Sequence, residues 1–266
     1  MKVNNPPDGG RITDYLEKPK ESEQREKMKV PEQVFHRFGI ESGGRTHLAS
    51  MGIYLFNWDV LNELLDHTEY QDFGKGVIPF AIKRKKVYGY FFNGYWEDIG
   101  SIRKFFETHI DLTEPLPKFN FYDEENPIFT HARFLPSSKI LSSEVSYSIL
   151  SEGSIINRSR INHSIIGLRS RIGENSLIDH SIVMGADYFE SHEEVISNAN
   201  KGIPKIGIGD NCEIRNAIID NNARIGNGVK LINERNVAEE QAENYVIRDG
   251  IIVMPINSII PDGTVI

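Results

Sequence analysis

At 266 residues and 39% hydrophobic content, the chain has the length for one large domain or two ordinary ones, and enough apolar material for real cores. A formal charge of −8, with lysines and arginines scattered instead of massed, excludes nucleic acid as the main partner. Cys212 is the single cysteine, which excludes an internal disulfide and points to a reducing compartment.

The opening stretch, MKVNNPPDGGRITDYLEKPKE, lacks the apolar segment of a signal peptide and the Arg/Ser-rich pattern of a transit peptide. No window reaches the roughly 18 apolar residues of a membrane span. The expectation is a soluble cytosolic protein with no membrane partner, or a plastid one if the source is eukaryotic. PPDGG at 6–10 reads as a turn and RITDYLEK as the strand returning from it, so the chain reads as starting on one arm of a hairpin.

From residue 11 to about 112 the pattern is mixed. LASMGIYLF (48–56) reads as a buried strand, and WDVLNELLDH after it has helical spacing through Val60, Leu61, Leu64 and Leu65. KKVYGYFFNGYW (85–96) alternates as a strand or hairpin, and SIRKFFETHIDL places Ile102, Phe105, Phe106 and Ile110 on one helical face. That order predicts an α/β sheet edge covered by helices over 1–112. The proline-rich, weakly periodic stretch 113–139 reads as a linker.

From 140 to 266 the period changes. Ile155, Ile161, Ile166, Ile172 and Ile178 recur every five or six residues, and Ile208, Ile214, Ile219, Ile225 and Leu231 repeat those intervals 53 positions later. Val253, Ile259 and Val265 continue the beat. Neither a helix nor a flat strand spaces β-branched residues this way; a triangular parallel β-helix of hexapeptide-like repeats does, each apolar residue entering from one short side. Gly153, Gly167, Gly173 and Gly226 fit the corners, where glycine allows a positive φ. Residues 184–205 and 233–247 break the beat as insertions projecting from the coils.

Four places could carry chemistry. In EKPK (17–20) the proline favours extended backbone at Lys18, from which an ammonium can reach a phosphate or sugar oxygen; solvated ends of this kind are common. Ser50 precedes Gly52 in an apolar strand, where glycine admits a ligand or simply packs. In NGYWEDIGS (93–101) Trp96 can wall a pocket, and Asp98 stands where strand gives way to helix. A carboxylate there suits Mg²⁺ with substrate phosphates, or it, or Ser101, is only an N-cap. His163 and His180, 17 residues apart and so on adjacent coils, could be metal ligands, but no third ligand shares the spacing, and edge imidazoles fit as well.

Taken together, EKPK, ASMGIYLF, GYWEDIGSI, PIFTHARFLPSSK, SIIGLRSRIG, MGADYFE and IDNNARIGNGVKLIN resemble, in this order, the glucose-1-phosphate adenylyltransferase family, the last two in its plant and cyanobacterial form. The resemblance implies a Rossmann-like nucleotidyltransferase domain (1–112 here) and a left-handed parallel β-helix (140–266). It implies Mg²⁺-dependent formation of ADP-glucose and pyrophosphate from ATP and glucose 1-phosphate in glycogen or starch synthesis. Glu17 and Lys18 are then contacts of glucose 1-phosphate, Ser50 a lining residue, and Asp98 one of two metal-binding aspartates. With Trp96 these form the candidate substrate and metal set. Anions such as 3-phosphoglycerate or phosphate are expected at His131, Arg133, Asp220, Asn221 and Arg248, in a homo- or hetero-tetramer. The usual lysine is replaced by Asn221, with loss of a charge, and another by Arg248, which can still fork onto phosphate, so a weakened or altered effector response follows.

No GGxGTRL-type loop and no first catalytic aspartate are read in these residues; the pairs at 9–10 and 43–44 lack the strand-then-helix setting. The expectation is a C-terminal portion, inactive alone. A non-catalytic regulatory subunit lending its β-helix to a hetero-oligomer is the alternative, and a related sugar-nucleotide transferase a third, disfavoured by MGADYFE.

Overall fold

The computed structural model describes residues 1–3, 10–66 and 69–266, and it divides into two compact units, 1–96 and 97–266. The PPDGG turn, apart from Gly10, lies outside the described residues.

In the first unit, strands Lys2–Val3 and Ile12–Asp14 pair antiparallel. Helices α1 (Ser22–Lys27), α2 (Glu32–Arg37), α3 (Trp58–Asp66) and α4 (Ile78–Arg84) follow, with a π-helical turn at Phe73–Val77 leading into α4. One small core gathers Val30, Val34, Phe35 and Ile40, and another Leu64, Val77 and Ala81. The expected helix after LASMGIYLF is α3. The two expected strands are not formed: neither 48–56 nor 85–96 joins a sheet, and their only ladder contact among the described residues is a bridge from Tyr88 to Arg11. The alternation survives without the ladder. Tyr54 and Phe56 turn toward Phe73, while Ile53 and Leu55 are exposed. A strand pattern specifies faces, but a sheet also needs a neighbour to accept its hydrogen bonds.

The second unit is a parallel β-helix. Its three faces are a five-stranded sheet (Glu144–Ser146, Arg160–Asn162, Leu177–Asp179, Glu213–Arg215, Lys230–Leu231), a six-stranded one from Lys139–Leu141 to Ile259–Ile260, and a seven-stranded one from Ile149–Leu150 to Ile251–Met254 and beyond. Residues stack in register, Ile161 on Ile178 on Ile214 on Leu231, and all four are fully buried. Four of the expected inward positions shift by one residue. Ile156, not Ile155, is buried, and Met254, Ile260 and Ile266 take the inward places assigned to Val253, Ile259 and Val265. Each site holds adjacent apolar residues, and the choice between them is made by pairing with the previous coil, as in Ile260 opposite Ile225.

The corners also differ from expectation. Gly153 has positive φ, as do Gly228 and Gly263, but Gly167, Gly173 and Gly226 do not, and many positive-φ corners are filled by Arg158, His163, Asn175, His180, Asn211 and similar residues. Gly167 is needed for close stacking instead: a Cβ there would lie 2.1 Å from the Met184 carbonyl oxygen. Buried serines complete the interior. Ser159 N–H donates to Ser143 Oγ, Ser176 N–H to Ser159 Oγ and Cys212 N–H to Ser176 Oγ, at 3.0–3.1 Å, so each hydroxyl satisfies an amide of the next coil.

Of the two insertions, 184–205 contains helix α6 (His192–Asn200), begun by a capping box at Ser191 and Glu194. The second folds back: Glu240–Gln241 and Val246–Arg248 form an antiparallel extension of the seven-stranded sheet. Helix α5 (Ile102–Asp111) was expected to cover an α/β sheet. It lies on the β-helix, where Ile102, Phe105, Phe106 and Ile110 meet Ile182, Ile218 and Ile251.

His163 and His180 do fall on adjacent coils. Their rings stack at 4.9 Å, with Tyr147 stacked on His163 at 4.8 Å. Beside them runs a polar ladder: Ser146 Oγ donates to Asn162 Oδ1, Asn162 Nδ2 to Asp179 Oδ1, and Arg215 to Asp179 Oδ2 at 3.0 Å. Burial pushes the Asp179 carboxyl up, but bonds from Asn162 and His180 and the charge of Arg215 outweigh it and hold it below its ordinary value. A depressed folded pKa gives stability that is present above the unfolded value and lost as pH falls through the folded one. Asp179→Asn therefore costs roughly 1–2 kcal/mol at pH 7 and less at an acid pH low enough to protonate the wild-type carboxyl. Urea unfolding at the two pH values measures the difference; an equal loss at both would refute the assignment.

Candidate functional site

Strand Ile12–Asp14 ends at Tyr15, whose side chain is buried. Its hydroxyl donates to Glu17 Oε2 at 2.8 Å and also interacts with the hydroxyls of Ser50 and Tyr54, which are 3.4 Å from each other. Two residues singled out from sequence, Glu17 and Ser50, are thus joined through a third that the sequence reading passed over. Burial, then donation to the Glu17 carboxylate, raises the Tyr15 phenol well above its ordinary range, so it remains a proton donor at any working pH. Ser50 Oγ also accepts from Gly52 N–H at 3.2 Å, and Gly52 has a φ of +72°, which gives that glycine a local reason.

The π-helical turn supplies the opposite wall. Asp72 caps it by accepting from Lys75 N–H, and Tyr54 stacks on Phe73 at 5.9 Å. Gly74 presses its backbone on Glu17: a Cβ there would sit 2.7 Å from Oε2. Single-turn π segments are often found at functional sites.

Lys18 corrects an expectation. Its φ is +42°, left-handed and not extended, despite the following proline. Such strain is held only where surrounding contacts over-determine the backbone, and it gathers at ligand sites. The side chain is exposed and, among the described residues, has no ion-pair partner. Trp96 is exposed, and no ring pairing involves it among the described residues.

In the second unit, Ser101 is the N-cap of α5, accepting from Lys104 N–H at 3.3 Å. Asp98 does not cap the helix. Its Oδ1 accepts from Gly100 N–H at 3.0 Å and the carboxylate is exposed. Glu97, beside it, is tied to Lys104 at 3.2 Å. No cluster of three or more His, Cys, Asp or Glu side chains stands ready for a metal among the described residues. Asp98 presents an exposed carboxylate, a hard oxygen donor of the kind Mg²⁺ takes.

The five effector candidates are not gathered by any contact among the described residues. His131 and Arg133 are exposed in the linker, where Arg133 donates to the His131 carbonyl oxygen at 3.1 Å. Asp220 Oδ1 accepts from Asn221 N–H, and Asp220 lines a small interior cavity with Arg169 and Arg171. Arg248 lies elsewhere, in a groove with Ile99, Ser101, Phe105 and Glu239. Its guanidinium is already engaged, donating to the carbonyl oxygens of Glu240 and Ile247 and to Gln241 Oε1, with Glu239 at 3.5 Å. An anion there competes with a carboxylate.

Comparison with known families agrees with this architecture. Residues 1–115 match the nucleotidyl transferase family, and residues 133–265, half of the chain, match the GLGC left-handed parallel beta-helix domain. Together they define a sugar-phosphate nucleotidyltransferase with a C-terminal left-handed β-helix. This order of domains is that of the glucose-1-phosphate adenylyltransferases, and the chain belongs to that family. Among the described residues, no helix is long and apolar enough to cross a membrane.

Proposed function

We propose that the chain takes part in the adenylyl transfer that gives the family its name, ATP and glucose 1-phosphate yielding ADP-glucose and pyrophosphate. The observation that supports it most is the gathering of Glu17 and Ser50 around the Tyr15 hydroxyl, beside an exposed Lys18 that has no ion-pair partner among the described residues.

In this reading Glu17 Oε1 and the Ser50 hydroxyl hold the sugar hydroxyls, and Lys18 balances the charge of the sugar phosphate. The phosphate oxygen then attacks the α-phosphorus of ATP in line, and pyrophosphate leaves. The chain contributes orientation and charge neutralisation, with no covalent intermediate. When Mg²⁺ is bound with the nucleotide, Asp98 supplies one ligand, and the ion offsets charge on the transferring phosphate. The anion effectors proposed for His131, Arg133, Asp220, Asn221 and Arg248 belong to this reading, as does a tetrameric assembly.

The second reading is a regulatory subunit that lends its β-helix to a hetero-oligomer and acts beside a complete one. One assay separates them. Pyrophosphate release from ATP and glucose 1-phosphate is followed for this chain alone and mixed with a complete subunit carrying its own inactivating substitution. Turnover that appears with this chain and falls on the order of 100-fold or more in Asp98→Asn supports the enzymatic reading. Turnover unaffected by Asp98→Asn removes the carboxylate from the mechanism, and no turnover in either mixture favours the regulatory subunit.

A further inference from the structure

We propose that Tyr15 is a positioning residue for the sugar-phosphate site: its buried hydroxyl fixes the Glu17 carboxylate in one rotamer, in space that only a glycine at position 74 leaves open. The inference deepens the proposed function and rests on it. Glu17 is half-buried, and a glutamate loses much rotamer freedom when it is made to bind. Ordering it beforehand removes that cost from ligand binding. Tyr15 is suited to this because its ring is seated at the end of a paired strand, with the hydroxyl 2.8 Å from Oε2. The opposing wall is backbone: with a Cβ on Gly74 at 2.7 Å from Oε2 and 2.9 Å from Cδ, the carboxylate would have to move. The carboxylate is therefore held between a donor and a wall, and Oε1 is left to accept from a hexose hydroxyl.

Ser50 stands in the same cluster of hydroxyls: its Oγ lies 3.4 Å from the Tyr54 hydroxyl and accepts from Gly52 N–H at 3.2 Å, while the one proton of Tyr15 goes to Glu17. The ligand class is a hexose phosphate with free ring hydroxyls, since a carboxylate acceptor is wasted on a ligand without them.

The 266-residue protein is titrated with glucose 1-phosphate by calorimetry, as wild type and as Tyr15→Phe, Gly74→Ala, Glu17→Gln and the Tyr15→Phe/Glu17→Gln double variant. Tyr15→Phe and Gly74→Ala each weaken binding about tenfold, and Tyr15→Phe adds less than about twofold once Glu17 is Gln. With ¹³C-labelled glutamate and no ligand, the Glu17 δ-carbon resonance, identified by its loss in Glu17→Gln, moves in Tyr15→Phe. A merely structural tyrosine would shift the melting point and leave that resonance and the coupling alone. Equal affinity of wild type and Tyr15→Phe overturns this inference by itself. Failure of the wild type to bind glucose 1-phosphate overturns the sugar-site reading and the inference with it. Should Tyr15→Phe not fold, Gly74→Ala carries the test, because its clash is with the end of a flexible side chain.

Discussion

Truncating Ile214 to alanine destabilises the β-helix by about 2–5 kcal/mol, whereas the same truncation at Ile259 costs less than about 1 kcal/mol. The six-residue beat marks both positions alike, so the difference comes from the fold. Ile214 is fully buried between Ile178 and Leu231 of the coils on either side, and its methyl groups have no other atoms to meet if removed. Ile259 is 38% exposed, with its neighbour Ile260 facing inward. In a solenoid each coil is stabilised by its nearest neighbours, so a cavity in a central coil weakens two interfaces at once. For a protein of this size 3 kcal/mol corresponds to a fall of roughly 6–12 °C in unfolding midpoint, measurable by far-UV circular dichroism. Equal shifts for the two variants would mean that the last coil is turned by one residue relative to the register described.

That contrast shows what the sequence could and could not convey. The β-helix was legible because its interior is filled from one short side at a time, and a repeat of five or six is the imprint of that geometry. The choice within pairs such as Ile155–Ile156 and Ile259–Ile260 was not legible, because both residues are apolar and long-range pairing decides between them. Gly153 was legible as a positive-φ corner, whereas Gly167 was legible as a glycine for the wrong reason: close approach of the next coil, not positive φ, demands it. In the first unit the strand patterns at 48–56 and 85–96 were real alternations, yet hydrogen-bonding partners are not encoded in a segment's own residues. Glu17, Lys18 and Ser50 were visible through EKPK and ASMGIY. Tyr15 was not, since an aromatic residue at the end of a strand reads as core, and its hydroxyl acquires meaning only from the carboxylate two residues on. One signal was available: a tyrosine in place of a purely apolar ring, next to a glutamate, has a proton to donate.

Replacing Glu190 with alanine releases the 184–205 insertion, with a local cost of about 3–5 kcal/mol. Glu190 is 5% exposed and Arg224, its partner at 2.6 Å, 14% exposed. The carboxylate does more than pair. Oε1 also accepts from Asn198 Nδ2 in α6, Oε2 accepts from Ile206 N–H at 2.7 Å, and Arg224 donates to the Pro204 carbonyl oxygen at 2.7 Å. One side chain thus fastens the beginning of the excursion, its helix and its return, at the point where Gly207–Ile208 must rejoin the coil opposite Arg224–Ile225. Removing Glu190 leaves the largely buried Arg224 guanidinium without its 2.6 Å partner, which is worse than removing both members. Glu190→Ala/Arg224→Met therefore recovers part of the loss. The β-helix coils below the insertion keep their own ladders, so the effect is regional. Amide hydrogen exchange over 187–206 measures it, and protection at Ile206 N–H falls on the order of 100-fold or more, the equivalent of about 3 kcal/mol. Because Asp220 and Asn221 lie on the coil that this return pairs with, a loosened insertion also loosens the cavity that Asp220 lines with Arg169 and Arg171. Unchanged exchange at Ile206 in Glu190→Ala would show that the pair is held by the insertion and does not hold it.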